Sequence, residues 1–269
     1  MSYKLIALDI DGTIRGPNRE ISDRTRFVID GVIGAGAVVT VATGRMFESA
    51  RMSTMALDLR SPIISYQGAH IADPVTGDVL WHLPLTECQA LDALDALDGW
   101  RGDVAVYLDS DVYVGEMTPW AQAYSERNRR DVLVVDDLRE LAGRGPTRLL
   151  AVGDEPEVYA LERRLNDQLD SRLHVTRSLP TFCEMIHPDG GKHMALEWLC
   201  GHLGIDTSST IAFGNGYNDV HMLEWAALGV AVGDAVPEAL SAADRVAPTL
   251  DQDGPAHILE ELLDQGRIG

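Results

Sequence analysis

A chain of 269 residues, 45% hydrophobic and 24% charged, has the composition of a folded globular protein and excludes a disordered or fibrous one. Its formal net charge of -20 excludes nucleic acid and anionic lipid surfaces as natural partners, because both are bound by clustered Lys and Arg. Three cysteines, Cys88, Cys183 and Cys200, without C-x-x-C spacing argue against a zinc site or a disulfide framework.

Met1 to Leu8 shows no signal-type apolar region, and no membrane-spanning run follows, so the expected location is cytoplasmic with no membrane partner. Leu5 to Leu8 is a short apolar run ending in acidic residues and Gly12, the pattern of a buried parallel strand followed by a functional loop. Ser22 is placed to cap a helix bearing Phe27, Val28, Val32 and Ile33, which Gly34 and Gly36 stop. A strand at Val38 to Ala42, a helix through about Leu57 and a strand at Ile63 to Ser65 follow. This alternation predicts a doubly wound parallel sheet, whose ligands bind beyond the carboxyl ends of the strands.

Near Gln67 the rhythm changes. Ile71-Ala72 and Val79 to Leu83 read as two strands joined by a turn, and Thr86-Glu87-Cys88-Gln89 has capping-box spacing ahead of a helix with Leu91, Leu94 and Leu97. Short strands at Val104 to Leu108, Val132 to Val135 and Leu149 to Val152 mix with helices, one carrying Leu161, Leu165 and Leu169. The alternation resumes with a helix from Lys192 through Leu203, a strand Thr210 to Phe213, a helix from Asp219 and a strand Gly229 to Val232. The expected architecture is an α/β core formed by residues 1–82 and 186–269, interrupted by an inserted α+β domain at 83–185.

Four loops carry candidate chemistry. In Asp9-Ile10-Asp11-Gly12-Thr13 a spacing of two places both carboxylates on one side of an extended chain, and like charges so close call for a shared cation or proton. A divalent metal meets that need: one carboxylate ligates it and attacks phosphorus, the other carries a proton for the leaving oxygen. Gly12 permits a sharp turn, and Thr13 adds a hydroxyl and a backbone donor. Thr43-Gly44-Arg45 forms an anion-binding corner at a helix start, with Arg45 able to hold a second anionic group. Gly190-Gly191-Lys192 sets an ammonium at a helix N-terminus, where the macrodipole disfavours it and an anion should compensate. Gly214-Asn215-Gly216-Tyr217-Asn218-Asp219 offers the hard oxygen ligands that magnesium prefers. Taken singly, each loop also reads as an ordinary turn or capped helix start.

In this order and at these places the four loops resemble the four motifs of the haloacid dehalogenase superfamily, specifically its Cof-type branch with a C2B-like cap, over essentially the whole chain. The resemblance implies an HAD-like Rossmannoid core with an inserted cap, and a magnesium-dependent phosphoric monoester hydrolase. It implies Asp9 as aspartyl nucleophile and metal ligand, and Asp11 as general acid/base whose backbone carbonyl also touches the metal. Thr43 and Lys192 would hold phosphate and neutralise its charge, with Gly12, Thr13, Gly44 and Arg45 around the same anion. Asn218 would contact phosphate or order its loop, Asn215 would ligate the metal, and Asp219 would position the lysine and the metal's waters. Two positions depart from the family pattern: Asn215 stands where aspartate is usual, and Gln67-Gly68-Ala69 where many relatives have Asn-Gly-Ala.

The expected function is hydrolysis of a small phosphorylated metabolite, a sugar phosphate or similar monoester, with no obligate protein partner. The net charge opposes such a substrate, which is a further reason to expect a local cation. A phosphomutase and a weakly active binding protein that keeps the fold are the rivals.

Overall fold

A computed structural model describes residues 2–16 and 20–269. Strand β1 (Leu5–Leu8) is apolar and buried along its whole length because it is covered on both faces. Complete burial of a leucine or isoleucine side chain stabilises the fold by about 1.5–3 kcal/mol, so this strand anchors the core. Helix α1 (Asp23–Gly34) begins where the Ser22 side chain accepts a hydrogen bond from the Thr25 N–H at 3.0 Å, and buries Val28, Ile29 and Val32. Then come β2 (Val38–Val41), α2 (Phe47–Ser53), β3 (Ile63–Ser65), β4 (His70–Ala72) and β5 (Val79–His82).

The next elements are α3 (Glu87–Ala96), β6 (Asp103–Leu108), β7 (Asp111–Val114), α4 (Pro119–Asn128), β8 (Val132–Val134), β9 (Arg148–Val152), α5 (Glu155–Leu169), β10 (His174–Leu179) and β11 (Phe182–Ile186). After them run α6 (Lys192–Leu203), β12 (Thr210–Gly214), α7 (Val220–Trp225), β13 (Leu228–Ala231), α8 (Pro237–Ala242), β14 (Arg245–Val246) and α9 (Gly254–Asp264).

The chain divides into two compact units, one made of the segments up to Trp81 and from Lys192 to Gly269, the other of His82–Gly191. In the first, a five-stranded parallel sheet has the order β14-β13-β12-β1-β2. Leu5 pairs with Val38 on one side and Thr210 on the other, so β1 lies between strands from both halves of the sequence. Strand β3 joins the β2 side through a parallel bridge between Ala42 and Ile64, and pairs antiparallel with β4. This is the doubly wound α/β core expected from the sequence.

The second unit is the inserted α+β domain, a mixed six-stranded sheet in the order β10-β11-β9-β6-β7-β8. The capping box at Thr86 and Gln89 forms as its spacing predicts, with the Thr86 N–H donating to Gln89 Oε1 at 2.9 Å. Leu94 of α3 and Leu161, Leu165 and Leu169 of α5 pack in one apolar cluster with Val106, Leu149 and Met185. Within this unit Arg148 and Glu184 form a buried ion pair at 2.5 Å, with the guanidinium 3.9 Å from the Tyr107 ring centre. Among the described residues no helix is long and apolar enough to cross a membrane.

Candidate active site

The carboxyl ends of β1, β2 and β12 bring three of the four sequence loops together, and the first turn of α6 supplies the fourth. Asp9 extends the β1 register by one residue, its N–H donating to the Phe213 carbonyl at 3.0 Å. Gly12 follows at φ 86°, a conformation that favours glycine, and a Cβ built there would lie 2.2 Å from Asn215 Nδ2. Glycine therefore both makes the turn and lets the Asn215 loop approach. Thr13 is fully buried beneath them, its Oγ1 lying 3.2 Å from Asp9 Oδ2 and 2.9 Å from Asn215 Oδ1. One hydroxyl proton serves one of these acceptors at a time, so Thr13 ties the nucleophile candidate to the metal-ligand candidate.

Lys192 opens α6 with its side chain almost entirely buried. Its Nζ donates to Asp9 Oδ1 at 2.7 Å and to Asp219 Oδ1 at 2.6 Å, so the anions that offset the unfavourable helix position are these two carboxylates. Burial alone would pull the ammonium down, but the charges of Asp219 and Asp9 reverse this and hold Lys192 above the ordinary lysine value. Burial pushes the Asp9 carboxyl up to about 7 against the opposing pull of Lys192, with Asp219 and Asp11 adding to the rise. Asp219 Oδ2 accepts from the N–H groups of Asn215 and Gly216, both at 2.9 Å. A single carboxylate thus orders the loop that carries Asn215 and orients the lysine.

Asp11 stands apart from this buried group. Its side chain is 47% exposed, and Arg45 grips it with two hydrogen bonds, from Nε to Oδ2 at 2.6 Å and from Nη2 to Oδ1 at 2.7 Å. The crowding expected between Asp9 and Asp11 is thus relieved by separate cations, Lys192 for one and Arg45 for the other. In this structure the guanidinium expected to hold a substrate anion is engaged by Asp11, with Nη1 donating to Ser49 and Ser53. Thr43 is buried at the end of β2, and its Oγ1 accepts from the Arg45 N–H at 3.2 Å. Gly44 and Asn218 meet at a residue outside the expected set, Gln67. Its side chain is buried, and Asn218 Nδ2 donates to its Oε1 at 2.9 Å. The signal for it was the glutamine in place of asparagine immediately after β3.

The donors present suit a hard divalent cation. Asp9, Thr13 and Asn215 offer oxygen rather than nitrogen or sulfur, and two buried carboxylates facing one ammonium leave an excess negative charge when ionised. Among the described residues no three His, Cys, Asp or Glu side chains converge as a metal cluster, so such an ion would draw on fewer than three of these side chains and on amide, hydroxyl or backbone oxygens for the rest.

A family model described as haloacid dehalogenase-like hydrolase matches residues 6–259. The chain is 30% identical over 262 residues to the 5-amino-6-(5-phospho-D-ribitylamino)uracil phosphatase YitU of Bacillus subtilis, covering 96% of each protein. It is 28% identical over 271 residues to the HMP-PP phosphatase of an Enterobacter species, covering 98% of this chain and 97% of that one. Among solved structures, a haloacid dehalogenase-like hydrolase from Bacteroides thetaiotaomicron superposes with a TM-score of 0.82 at 26% identity, over 97% of this chain and all of that one. One from B. subtilis does so with a TM-score of 0.85 at 25% identity, over 96% and 99%. With the core, the insert and the loop geometry described above, these matches show that the chain belongs to the haloacid dehalogenase-like hydrolases, with the phosphatase fold of that superfamily and an inserted cap domain.

Proposed function

We propose that this protein is a magnesium-dependent phosphatase that hydrolyses a small phosphorylated metabolite, a sugar phosphate or similar monoester, through an aspartyl-phosphate on Asp9. The observation that carries this reading is the buried Asp9 carboxylate at the end of β1, held by Lys192 at 2.7 Å and Thr13 at 3.2 Å. A nucleophile needs to be fixed in orientation and sheltered from water, and both conditions are met there. Relatives named as phosphatases, YitU and the HMP-PP phosphatases among them, support the reaction class.

In the first step an Asp9 oxygen forms a bond to phosphorus as the ester P–O bond breaks, and the departing alkoxide takes a proton from Asp11. In the second, water gives one of its own protons to Asp11 as its oxygen bonds to phosphorus and the bond from phosphorus to the Asp9 oxygen breaks; inorganic phosphate leaves and the Asp9 carboxylate is restored. Lys192 offsets charge on the phosphoryl oxygens, while Thr43, the Gly44 backbone and Asn218 hold them, since phosphoryl transfer is catalysed chiefly by positioning and charge stabilisation. Magnesium, held by Asp9, the Asp11 carbonyl and Asn215, would supply further positive charge when bound. Asp219 orients Lys192 and the Asn215 loop. The inserted domain carries substrate selection.

Release of inorganic phosphate from a panel of sugar phosphates and other small monoesters, with and without EDTA, tests this reading. Metal-dependent release from at least one class is expected. Transfer of phosphate to a second alcohol without release would point instead to a mutase.

A further inference from the structure

Three consecutive residues after β3 adopt positive φ: Tyr66 at 50°, Gln67 at 56° and Gly68 at 96°. Two of them carry side chains, and neither is asparagine, aspartate or glycine, the types for which this region is least unfavourable. Such strain persists only where the surroundings impose it. Here they do. The Gln67 N–H donates to the Thr43 carbonyl at 3.0 Å, and the Tyr66 N–H to the Arg45 carbonyl at 2.9 Å, so the turn is bolted to both sides of Gly44. The Gln67 side chain is 1% exposed and fills the space a side chain at position 44 would need: a Cβ on Gly44 would meet Gln67 Nε2 at 2.2 Å. At its other end Oε1 accepts from Asn218 Nδ2 at 2.9 Å.

We propose that Gln67 is a positioning residue, whose amide spans the Thr43–Arg45 loop and Asn218 and thereby sets the separation of the two loops that grip the phosphate. The inference rests on the phosphatase reading above. The amide acts through its neighbours: it fixes where the Gly44 backbone sits and which way Asn218 presents its remaining polar atoms. Glutamine length is essential to this, since asparagine would withdraw the amide by about 1.5 Å, one carbon–carbon bond.

The test uses Gln67→Asn, Gln67→Ala and Asn218→Ala in the full-length protein, with p-nitrophenyl phosphate as substrate and inorganic phosphate as competing ligand. Asparagine tolerates φ 56° better than glutamine. Gln67→Asn should therefore melt no lower than the native protein, yet raise both KM and the inhibition constant for phosphate by about tenfold, the scale of one lost hydrogen bond. Gln67→Ala should raise both constants likewise, and adding Asn218→Ala to it should cost less than the sum of the two single changes. Unchanged KM and inhibition constants in both Gln67 variants would overturn the inference, as would additivity with Asn218→Ala. A fall in kcat alone, in step with a lower melting temperature, would also overturn it by making Gln67 merely structural. A native protein that neither hydrolyses the ester nor binds inorganic phosphate would overturn the phosphatase reading itself.

Discussion

The guanidinium of Arg45 binds both carboxylate oxygens of Asp11, at 2.6 and 2.7 Å, in a fork that fixes the plane of the carboxyl group. Both oxygens accept from the one guanidinium, so the proton-transfer role proposed for Asp11 requires this grip to loosen and reform during each cycle.

Arg45→Lys keeps the charge but loses the fork, because an ammonium binds as a point and not as a plane. Hydrogen bonds involving charged groups are worth about 1.5–3 kcal/mol, and partial exposure puts this pair at the lower end. The expected outcome is a fall of about tenfold in kcat/KM for a phosphate monoester with little change in melting temperature. Steady-state kinetics of the purified variant check it, and native kinetics would remove Asp11 orientation from the list of Arg45's tasks.

Replacing Asp9 with Asn should abolish turnover while preserving the fold, since the amide fills the same volume and Lys192 retains Asp219 at 2.6 Å. Circular dichroism together with a phosphate-release assay checks both halves. Measurable native-like turnover would reassign the nucleophile.

Lys192→Met tests the buried charge cluster by stability. The substitution leaves Asp9 and Asp219 facing each other without their shared cation, and removing one member of a buried ion pair costs about 3–5 kcal/mol. A urea midpoint lowered accordingly is expected, partly restored when Asp219→Asn is added. A loss below about 1 kcal/mol would mean that the cluster reorganises freely.

Asn215→Asp should tighten magnesium binding, because a carboxylate attracts the cation more strongly than an amide oxygen. Changes around metal sites commonly alter affinity or activity by about 10–100-fold. Magnesium titrations followed by melting temperature, as well as by phosphate release, should show half-saturation at lower concentration in the variant. Equal or weaker binding would show that position 215 does not limit metal affinity.

Acidification should destabilise the core through His193. Burial, aided by the neighbouring His221 ring at a centroid distance of 5.5 Å, lowers the His193 pKa below its ordinary value. The unfolded chain then binds the proton more readily than the folded one, so the stability is fully present above the unfolded pKa near 6.5 and is lost as pH falls through the folded one. Urea midpoints at pH 7.5 and 5.5 should fall less with acid in His193→Gln than in the native protein.

The parts of this molecule that were legible in the sequence are those governed by local rules. Leu5 to Leu8 could be read because a strand buried on both faces must be apolar throughout, and Ser22 and Thr86 because a cap needs its oxygen at one fixed spacing. The strand β7, the helix α4 and the strands β10 and β11 are not legible in this way, although Thr118-Pro119 carries an N-cap and proline signal, and β7 and β11 also pair with the more distant β8 and β9. Nor were α8, β14 and α9 anticipated beyond β13. At the site, the motifs and their resemblance to a known family make Asp9, Lys192 and Asp219 candidates, but their mutual distances do not follow from spacing. Gln67 stands out in the sequence only as a departure from the usual asparagine; its contacts are not legible there, because they lie with Gly44 and Asn218, which are far apart in the chain.

The placement of β1 between β2 and β12 constrains how this protein comes into being on the ribosome. Its Leu5 to Val38 pairing is available early, whereas its Leu5 to Thr210 pairing must wait until the whole of the inserted domain has been made. Closing so long a loop is slow relative to forming local contacts. Until β12 docks, one edge of β1 remains unpaired and Asp9 lacks the lysine that neutralises it. During synthesis the nascent chain therefore carries an exposed apolar strand edge, prone to intermolecular pairing, until translation has passed through His82–Gly191 and on to β12.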